Sequence, residues 1–142
     1  MTSAAVVLTV NAASAAVVIT VQPLDQSVTA GSAAAFTAAA TGTPTPSLRW
    51  QGSTDAGATW SNIADATAST CNTGPTILTQ NGERYRVVAS NGGGRATSNA
   101  ALLSVTEAAQ ARLITAQPTN ASVAVPAAAT FTATASGVPT PT

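Results

Sequence analysis

The chain of 142 residues contains no histidine, and its five basic residues, all arginines, are balanced by five acidic residues. Without histidine, neither a Ser-His-Asp triad nor a Cys-His pair can be assembled from its side chains. With a net charge of zero there is no basic field to attract nucleic acid or anionic lipid. We therefore expect no nucleic-acid partner.

Cysteine is nearly absent as well, because Cys71 is the only one. No disulfide can form within the chain. Two interpretations stay open: a small buried apolar residue, which is the ordinary role of a single cysteine, and a thiol that is reactive or pairs between chains.

Long apolar runs are also missing. Residues 4–10 and 15–21 are apolar, but Asn11 and Ser14 interrupt them and no lysine or arginine precedes them. A secretory signal has a positive amino-terminal region, and a membrane helix needs about 20 apolar residues. The two runs are better interpreted as strands, so we expect no membrane insertion in this segment.

The acidic residues form no obvious catalytic or metal-binding set. Glycoside hydrolysis needs two carboxylates close together, and a calcium ion needs clustered oxygen ligands. Asp25 and Glu107 are the only candidates for such a calcium site, and solvated surface charges are the alternative. We expect no enzyme activity, no cofactor and no metal. The five acids are spread along the chain at Asp25, Asp55, Asp65, Glu83 and Glu107.

What the chain does contain is typical of an all-β protein. Alanine, threonine, serine and valine dominate, and eight prolines and ten glycines interrupt the sequence at short intervals. No stretch has helical periodicity with caps. Short strands separated by turns favour a sandwich or a barrel. The predicted strands are 15–21, 26–29, 33–41, 47–52, 59–63, 68–73, 84–90 and 95–105.

A sequence repeat is visible at a fixed offset. Thr20 and Thr115, Phe36 and Phe131, and the Gly-X-Pro-Thr-Pro segments 42–46 and 137–141 are each 95 residues apart. Such periodicity predicts a tandem array. We therefore predict four segments: the last strand of a preceding unit plus linker (1–14), one complete unit (15–106), a linker (107–112) and the opening strands of a following unit (113–142).

The stretch from Gly42 to Trp60 carries the largest side chains of the complete unit. The prolines at its start exclude helix, and the alternation after them places Leu48 and Trp50 on one face of a strand. Burying about 200 Å² of a tryptophan gives roughly 5 kcal/mol as an upper bound. A core with so few aromatic residues should depend on Trp50.

These residues also resemble a known family. The Gly-Thr-Pro-Thr-Pro turn followed by Leu-Arg-Trp, together with Tyr85 to Asn91 and Gly94, is similar to the immunoglobulin-like (Ig-like) domains found in tandem in bacterial surface and secreted proteins. The resemblance implies an Ig-like β-sandwich in which Trp50 is the core tryptophan. It also implies that the Tyr85 hydroxyl bonds to backbone near Asn81. The predicted structural core is Phe36, Ala38, Leu48, Trp50, Tyr85 and Val87, and the resemblance places Ala38 and Val87 where other members carry two cysteines.

A second motif, residues 53–60, matches the Asp-box pattern S-x-D-x-G-x-T-W of sialidase propellers. A glycosidase blade would need several such boxes and a longer chain, so a structural hairpin is the better interpretation. Asp55 would accept backbone N–H groups, Gly57 would take a positive φ, and Trp60 would pack over the turn. The motif residues are Ser53, Asp55, Gly57, Thr59 and Trp60.

Three roles remain. The first is a non-catalytic structural or adhesive repeat of a bacterial extracellular or cell-surface fibre, with neighbouring Ig-like repeats as partners. The second is a filament subunit that exchanges strands between identical chains. The third is a carbohydrate-binding accessory module of a secreted enzyme, for which only Trp60 could be imagined on a surface. Arg84, Arg86 and Arg95 could line one face, although ordinary pairing and solubility are the simpler expectation.

Overall fold

Strands make up nearly all the regular structure, as the composition predicts. The computed structural model describes residues 7–8 and 13–140, and the chain divides into two units, Met1–Val105 and Thr106–Thr142. Most of the strand predicted at 4–10 lies outside the described residues. Within the described part, no helix is both long and apolar enough to span a membrane.

The described part of the first unit contains ten strands and one short 3₁₀ turn, Leu78–Gln80. Proline and glycine interrupt the chain often enough that the longest strand has eight residues. The strands are β1 Ala15–Val21, β2 Gln26–Thr29, β3 Ala33–Thr37, β4 Ala39–Thr43, β5 Ser47–Ser53, β6 Ser61–Asn62, β7 Thr70–Pro75, β8 Arg84–Asn91, β9 Gly94–Thr97 and β10 Ala101–Thr106.

These strands form one large sheet and two small ones. The large sheet has the order β2-β10-β8-β5-β6, with β9 also paired to β8, while β3 pairs with β7 and β1 with β4. The long antiparallel pair β5–β8 sets the register, with Trp50 opposite Val87. Inward and outward residues therefore alternate together on both strands.

The segment predicted as one strand over 33–41 is two strands, and the chain changes its partner between them. β3 pairs with β7, whereas β4 pairs with β1. Ala38 lies at the change and donates its N–H to Ser69 O at 2.9 Å. Because the side chains on both sides are small, the hydrophobic pattern gives no signal of this exchange.

The segment predicted as one strand over 95–105 is also divided. β9 returns along β8 in a hairpin, and β10 pairs farther along the same edge of β8, because β5 is paired with the other edge from Arg84 to Ser90. Between them, the Ser98 hydroxyl accepts the Val87 N–H while the Ser98 N–H donates to Val87 O, both at 2.9 Å. A buried side chain thus replaces a main-chain partner at the point where the strand ends.

The core lies between the large sheet and the β3–β7 pair. Trp50, Phe36, Ala38 and Val87 are all 0% exposed. The Phe36 ring stacks on Tyr85 with centroids 4.6 Å apart. A β-sandwich closed around Trp50 is therefore what the structure contains, and the expected all-β architecture is confirmed. Leu48 is partly buried and packs against this cluster.

The indole of Trp50 is satisfied as well as buried. Its Nε1–H donates to Ala68 O at 2.9 Å, and its backbone N–H donates to Ala66 O at 3.0 Å. An unpaired N–H in such a core would cost about 1–3 kcal/mol. The loop before β7 is therefore attached to the central strand by the same residue that fills the core.

The second unit contains β11 Gln110–Ala116 and β12 Thr134–Val138, paired with each other. β11 begins inside the span 107–112 predicted as a linker. Every paired position in β11–β12 is 95 residues beyond its counterpart in β1–β4. For example, Ala15 is opposite Thr43 and Gln110 is opposite Val138, and the irregularities fall at the same places.

Replacing Trp50 by alanine should abolish stable folding of the first unit. Large aromatic-to-alanine changes in a core cost about 3–5 kcal/mol, and a domain has only about 5–15 kcal/mol in total. Far-UV circular dichroism during thermal unfolding measures the effect. Leu24→Ala, at a residue 73% exposed, is the matched control and should leave the melting temperature unchanged. A melting temperature for Trp50→Ala close to that of the wild type would contradict this account of the core.

Candidate functional site

The connection between β5 and β6 is a tight hairpin loop that contains the residues of the S-x-D-x-G-x-T-W motif. Ala56 and Gly57 both have positive φ, 59° and 97°, the left-handed region that glycine enters without strain. This backbone turns the chain sharply enough for residues four apart to contact each other.

Asp55 organises the loop. Its carboxylate accepts the Thr59 N–H at 2.8 Å and the Thr59 hydroxyl at 2.5 Å, and it accepts the Ser53 hydroxyl at 2.7 Å. The Ser53 oxygen in turn accepts the Gly57 N–H at 2.8 Å. The bonds from Thr59, followed by the one from Ser53, lower the pKa of Asp55 from 3.8 to about 2.

Trp60 closes the loop from the side. Its Nε1–H donates to Gly57 O at 3.0 Å. A Cβ added at Gly57 would lie 3.6 Å from the Trp60 ring. The indole is half-buried, in contrast to Trp50. The ring therefore packs on the loop, as the motif predicts, and does not enter the core.

An arginine covers the ring. The guanidinium carbon of Arg86 lies 4.0 Å from the Trp60 ring centroid, within range of a cation–π interaction. Arg86 Nε–H donates to Gln51 Oε1 at 2.9 Å, and the Gln51 amide donates to Asn62 Oδ1 at 2.9 Å. Burial, and then the charge of Arg95, lower the pKa of Arg86. The guanidinium of Arg86 thus partly covers the ring of Trp60, the aromatic residue that the sequence suggested for the surface.

Arg84 lies beside the same loop. A Cβ at Gly57 would be 3.6 Å from Arg84 Cδ. Arg84 Nε is buried and has no hydrogen-bond partner in the described chain. Sequence reasoning grouped the arginines but missed the ring contact and the Gln51–Asn62 pair, because only the register of β5 against β8 and β6 brings these residues together.

A cavity of about 300 Å³ lies beside β5, β6 and β7. Cys71 and the Tyr85–Glu83 pair line it. Burial raises the pKa of the Cys71 thiol, so the buried interpretation fits its position. The arrangement has no base beside the thiol, and no group of three or more metal-ligating side chains occurs among the described residues.

The Tyr85 hydroxyl does not contact backbone near Asn81, which is a correction to the expected tyrosine corner. It donates to Glu83 Oε2 at 2.7 Å. Burial, and then Glu83, raise the pKa of Tyr85. Asn81 is engaged elsewhere, because its Oδ1 accepts the Val105 N–H at 2.9 Å. The carboxylate two residues before the tyrosine takes the position that the backbone was expected to fill.

Asp25 and Glu107, the two residues considered as calcium ligands, belong to different units. Asp25 Oδ1 accepts the Leu102 N–H at 2.7 Å. That bond attaches the loop after β1 to β10. Glu107 belongs to the second unit. The calcium site considered from the sequence is therefore not assembled from these two residues within the first unit.

The hairpin should weaken at low pH because Asp55 holds it as a carboxylate. Since its pKa of about 2 in the folded chain lies below the ordinary 3.8, its stabilising effect is present above about pH 4 and is lost as the pH falls through about 2. The carboxyl carbon of Asp55 and the amide of Thr59, followed by NMR, should titrate together with a midpoint near 2. Asp55→Asn is the control and should remove this transition from the Thr59 amide. A midpoint near 3.8 would show that the bonds to Thr59 and Ser53 are not maintained in solution.

Comparison with known proteins places the chain among Ig-like domains. Titin domains Z1Z2, solved in complex with telethonin, match with a TM-score of 0.55 and 24% identity, covering 89% of this chain and 66% of that one. The tandem Ig repeats of Dlar match with a TM-score of 0.53 and 25% identity, covering 89% of this chain and 68% of that one. The predicted fold class, an Ig-like β-sandwich, is confirmed.

A relative in sequence is endoglucanase C of Cellulomonas fimi, 40% identical over 124 residues. The match covers 87% of this chain, but the chain spans only 11% of the length of that endoglucanase. A sequence profile also matches residues 21–107, which are more than half of the chain and include the hairpin and the arginines beside it. The chain therefore belongs to the family whose description is "Domain of unknown function (DUF8696)".

Proposed function

We propose that this chain is a non-catalytic, structural or adhesive part of a larger bacterial extracellular protein, in which Ig-like units follow one another every 95 residues. The observation that carries the proposal is the pairing of β11 with β12. It repeats the register of β1 with β4, irregularities included, at an offset of 95 residues. Two segments that share sequence, pairing and irregularities are the expected product of a tandem repeat.

The residues that are buried in β1 to β4 of the first unit can be compared with the residues 95 positions later in the second unit. The buried positions of β1 to β4 and their connections are Val17, Pro23, Ala34, Phe36 and Ala38. The residues 95 positions later are Arg112, Pro118, Ala129, Phe131 and Ala133, identical in all but the first pair. Phe36 is 0% exposed, but Phe131 is 62% exposed. The second unit therefore has core residues without the strands that cover them in the first.

An extracellular location is supported by the relative. Its name describes an enzyme that cuts within a glucan chain, and a polymeric substrate of that kind is met outside the cell. Because this chain corresponds to 11% of that protein, a role as a spacer or binding module beside a catalytic region fits the length. The absence of histidine and the separate engagement of Asp25, Asp55 and Glu83 also support a non-catalytic role.

The second candidate is a carbohydrate-binding accessory module, favoured by the same sequence relationship. Neutral glucans are usually held against exposed aromatic rings. Here Trp50, Phe36 and Tyr85 are buried, Arg86 covers Trp60, and Phe131 occupies a core-equivalent position. The aromatic residues therefore favour the structural role over binding of a neutral glucan.

The tandem arrangement is tested by completing the second unit. At the 95-residue offset Thr142 corresponds to Ser47, so a copy of residues 48–106 is added after Thr142, with Arg112→Val to match Val17. The extended chain should gain a second cooperative unfolding transition of about 60 kcal/mol in calorimetry, given about 0.7 kcal/mol per residue. Amide exchange in the added copy should become slow.

The control for this experiment is the same extended chain with Phe131→Asp, which places a charge at the core-equivalent position and should prevent the second transition. Sedimentation distinguishes the filament alternative, because strand exchange between chains would give oligomers that grow with concentration. An added copy whose amides exchange as fast as in an unfolded peptide would overturn the tandem proposal.

A further inference from the structure

Four of the five arginines lie on one face of the large sheet. On β5 and β8 the residues Trp50 and Val87 face inward and are fully buried. The alternating positions face outward, so Arg49 on β5 and both Arg84 and Arg86 on β8 share the outer face. On β9, Arg95 is opposite the outward Ser90 and joins them. We call this surface, defined by Arg49, Arg84, Arg86 and Arg95, the arginine face.

Among the residues that the structure describes, no carboxylate forms an ion pair with the arginine face. Within the described residues, no guanidinium nitrogen lies within 4.0 Å of a carboxylate oxygen. The acids of the first unit whose side chains form bonds have other partners: Asp25 holds the Leu102 N–H, Asp55 holds Thr59, and Glu83 holds the Tyr85 hydroxyl. In a chain with equal numbers of acidic and basic residues, this is a local separation of charge.

The central guanidinium is held in place before any ligand arrives. Arg86 rests on the Trp60 ring and donates through Nε to Gln51, which is itself held by Asn62. Its terminal nitrogens have no partner in the described chain. Fixing a flexible side chain in advance removes part of the entropy cost of binding. Arg49 and Arg95 are exposed on either side.

We propose that the arginine face binds the carboxylates of an acidic polysaccharide, a polymer of uronate type. Guanidinium groups match carboxylates through two parallel hydrogen bonds. A stiff polymer with carboxylates at regular intervals can contact arginines on several neighbouring strands of the sheet at once. This inference rests on the proposed function, in which the chain belongs to an extracellular protein related to one that acts on glycans.

Three other occupants fit the face less well. A neutral glucan would need an open aromatic surface, and Arg86 covers Trp60. A nucleic acid is favoured by a strong net positive charge, and this chain has a net charge of zero. An acidic peptide shares the carboxylate chemistry, and it is separated from the polysaccharide by the experiment below.

The test is affinity electrophoresis of the full chain in gels that contain one polymer at a time. Carboxymethyl cellulose and hydroxyethyl cellulose share a backbone and differ in charge, polygalacturonate supplies uronate, and polyglutamate supplies the peptide carboxylate. We expect retardation by carboxymethyl cellulose and polygalacturonate that weakens as salt is added. Hydroxyethyl cellulose should give no retardation, and polyglutamate should bind more weakly than polygalacturonate.

The test variant is Arg49→Gln with Arg95→Gln, two exposed residues whose side chains hold no other part of the chain. Binding should weaken about tenfold, since each exposed pair contributes up to about 1 kcal/mol, with an unchanged melting temperature. Arg112→Gln makes the same substitution once in the second unit and should leave binding unchanged. Equal retardation by hydroxyethyl cellulose, equal or tighter binding of polyglutamate, or an equal loss in Arg112→Gln would overturn the inference. The calorimetry of the extended chain is independent of these results, so the two proposals can fail separately.

Discussion

The indole of Trp50 is the contact on which the first unit depends. It is fully buried, it pairs across to β8 opposite Val87, and its ring nitrogen reaches Ala68 O in the loop before β7. One side chain therefore fills the space between the layers and connects the central strand to the partner sheet. The other large core groups, Phe36 and Tyr85, stack beside it, and most of the remaining core positions are alanine and valine. Small side chains of this kind cannot replace an indole by rearranging.

The two tryptophans, ten residues apart in sequence, perform different tasks because of strand alternation and turn chemistry. The Trp50 side chain points into the core because of the alternation of side chains along β5. Trp60 follows a loop in which Asp55 binds Thr59 and Gly57 takes a positive φ, and its ring lies against that loop under Arg86. The hairpin is thus a rigid support for a charged group, built from a motif whose own residues are mostly uncharged. The same short stretch, residues 53–60, therefore determines both the shape of the hairpin and the position of the Arg86 charge on the surface.

Much of the fold could be predicted from the sequence, because alternation and turn residues are local signals. Leu48 and Trp50 alternate with polar neighbours, and the S-x-D-x-G-x-T-W pattern specifies a turn by hydrogen bonds within eight residues. What could not be predicted depends on partners that are distant in sequence. Ala38 gives no sign that the chain changes from one sheet to another there. The contact between Arg86 and Trp60 requires the register of β5 against β8, and the Tyr85 hydroxyl binds Glu83 and not the backbone near Asn81.

The sequence resemblance assigns Ala38 and Val87, both fully buried, to the positions where disulfide-bearing Ig-like domains carry their two cysteines, and here both belong to the core cluster without a covalent bond. Under a pulling force, a bridged unit keeps the chain between its cysteines closed and cannot lengthen through it. Here the chain between Ala38 and Val87 can extend by about 3.4 Å per residue once the sheets separate. Separation of the sheets in the first unit is therefore opposed by packing and hydrogen bonds alone, and their return to the folded arrangement needs no thiol–disulfide exchange.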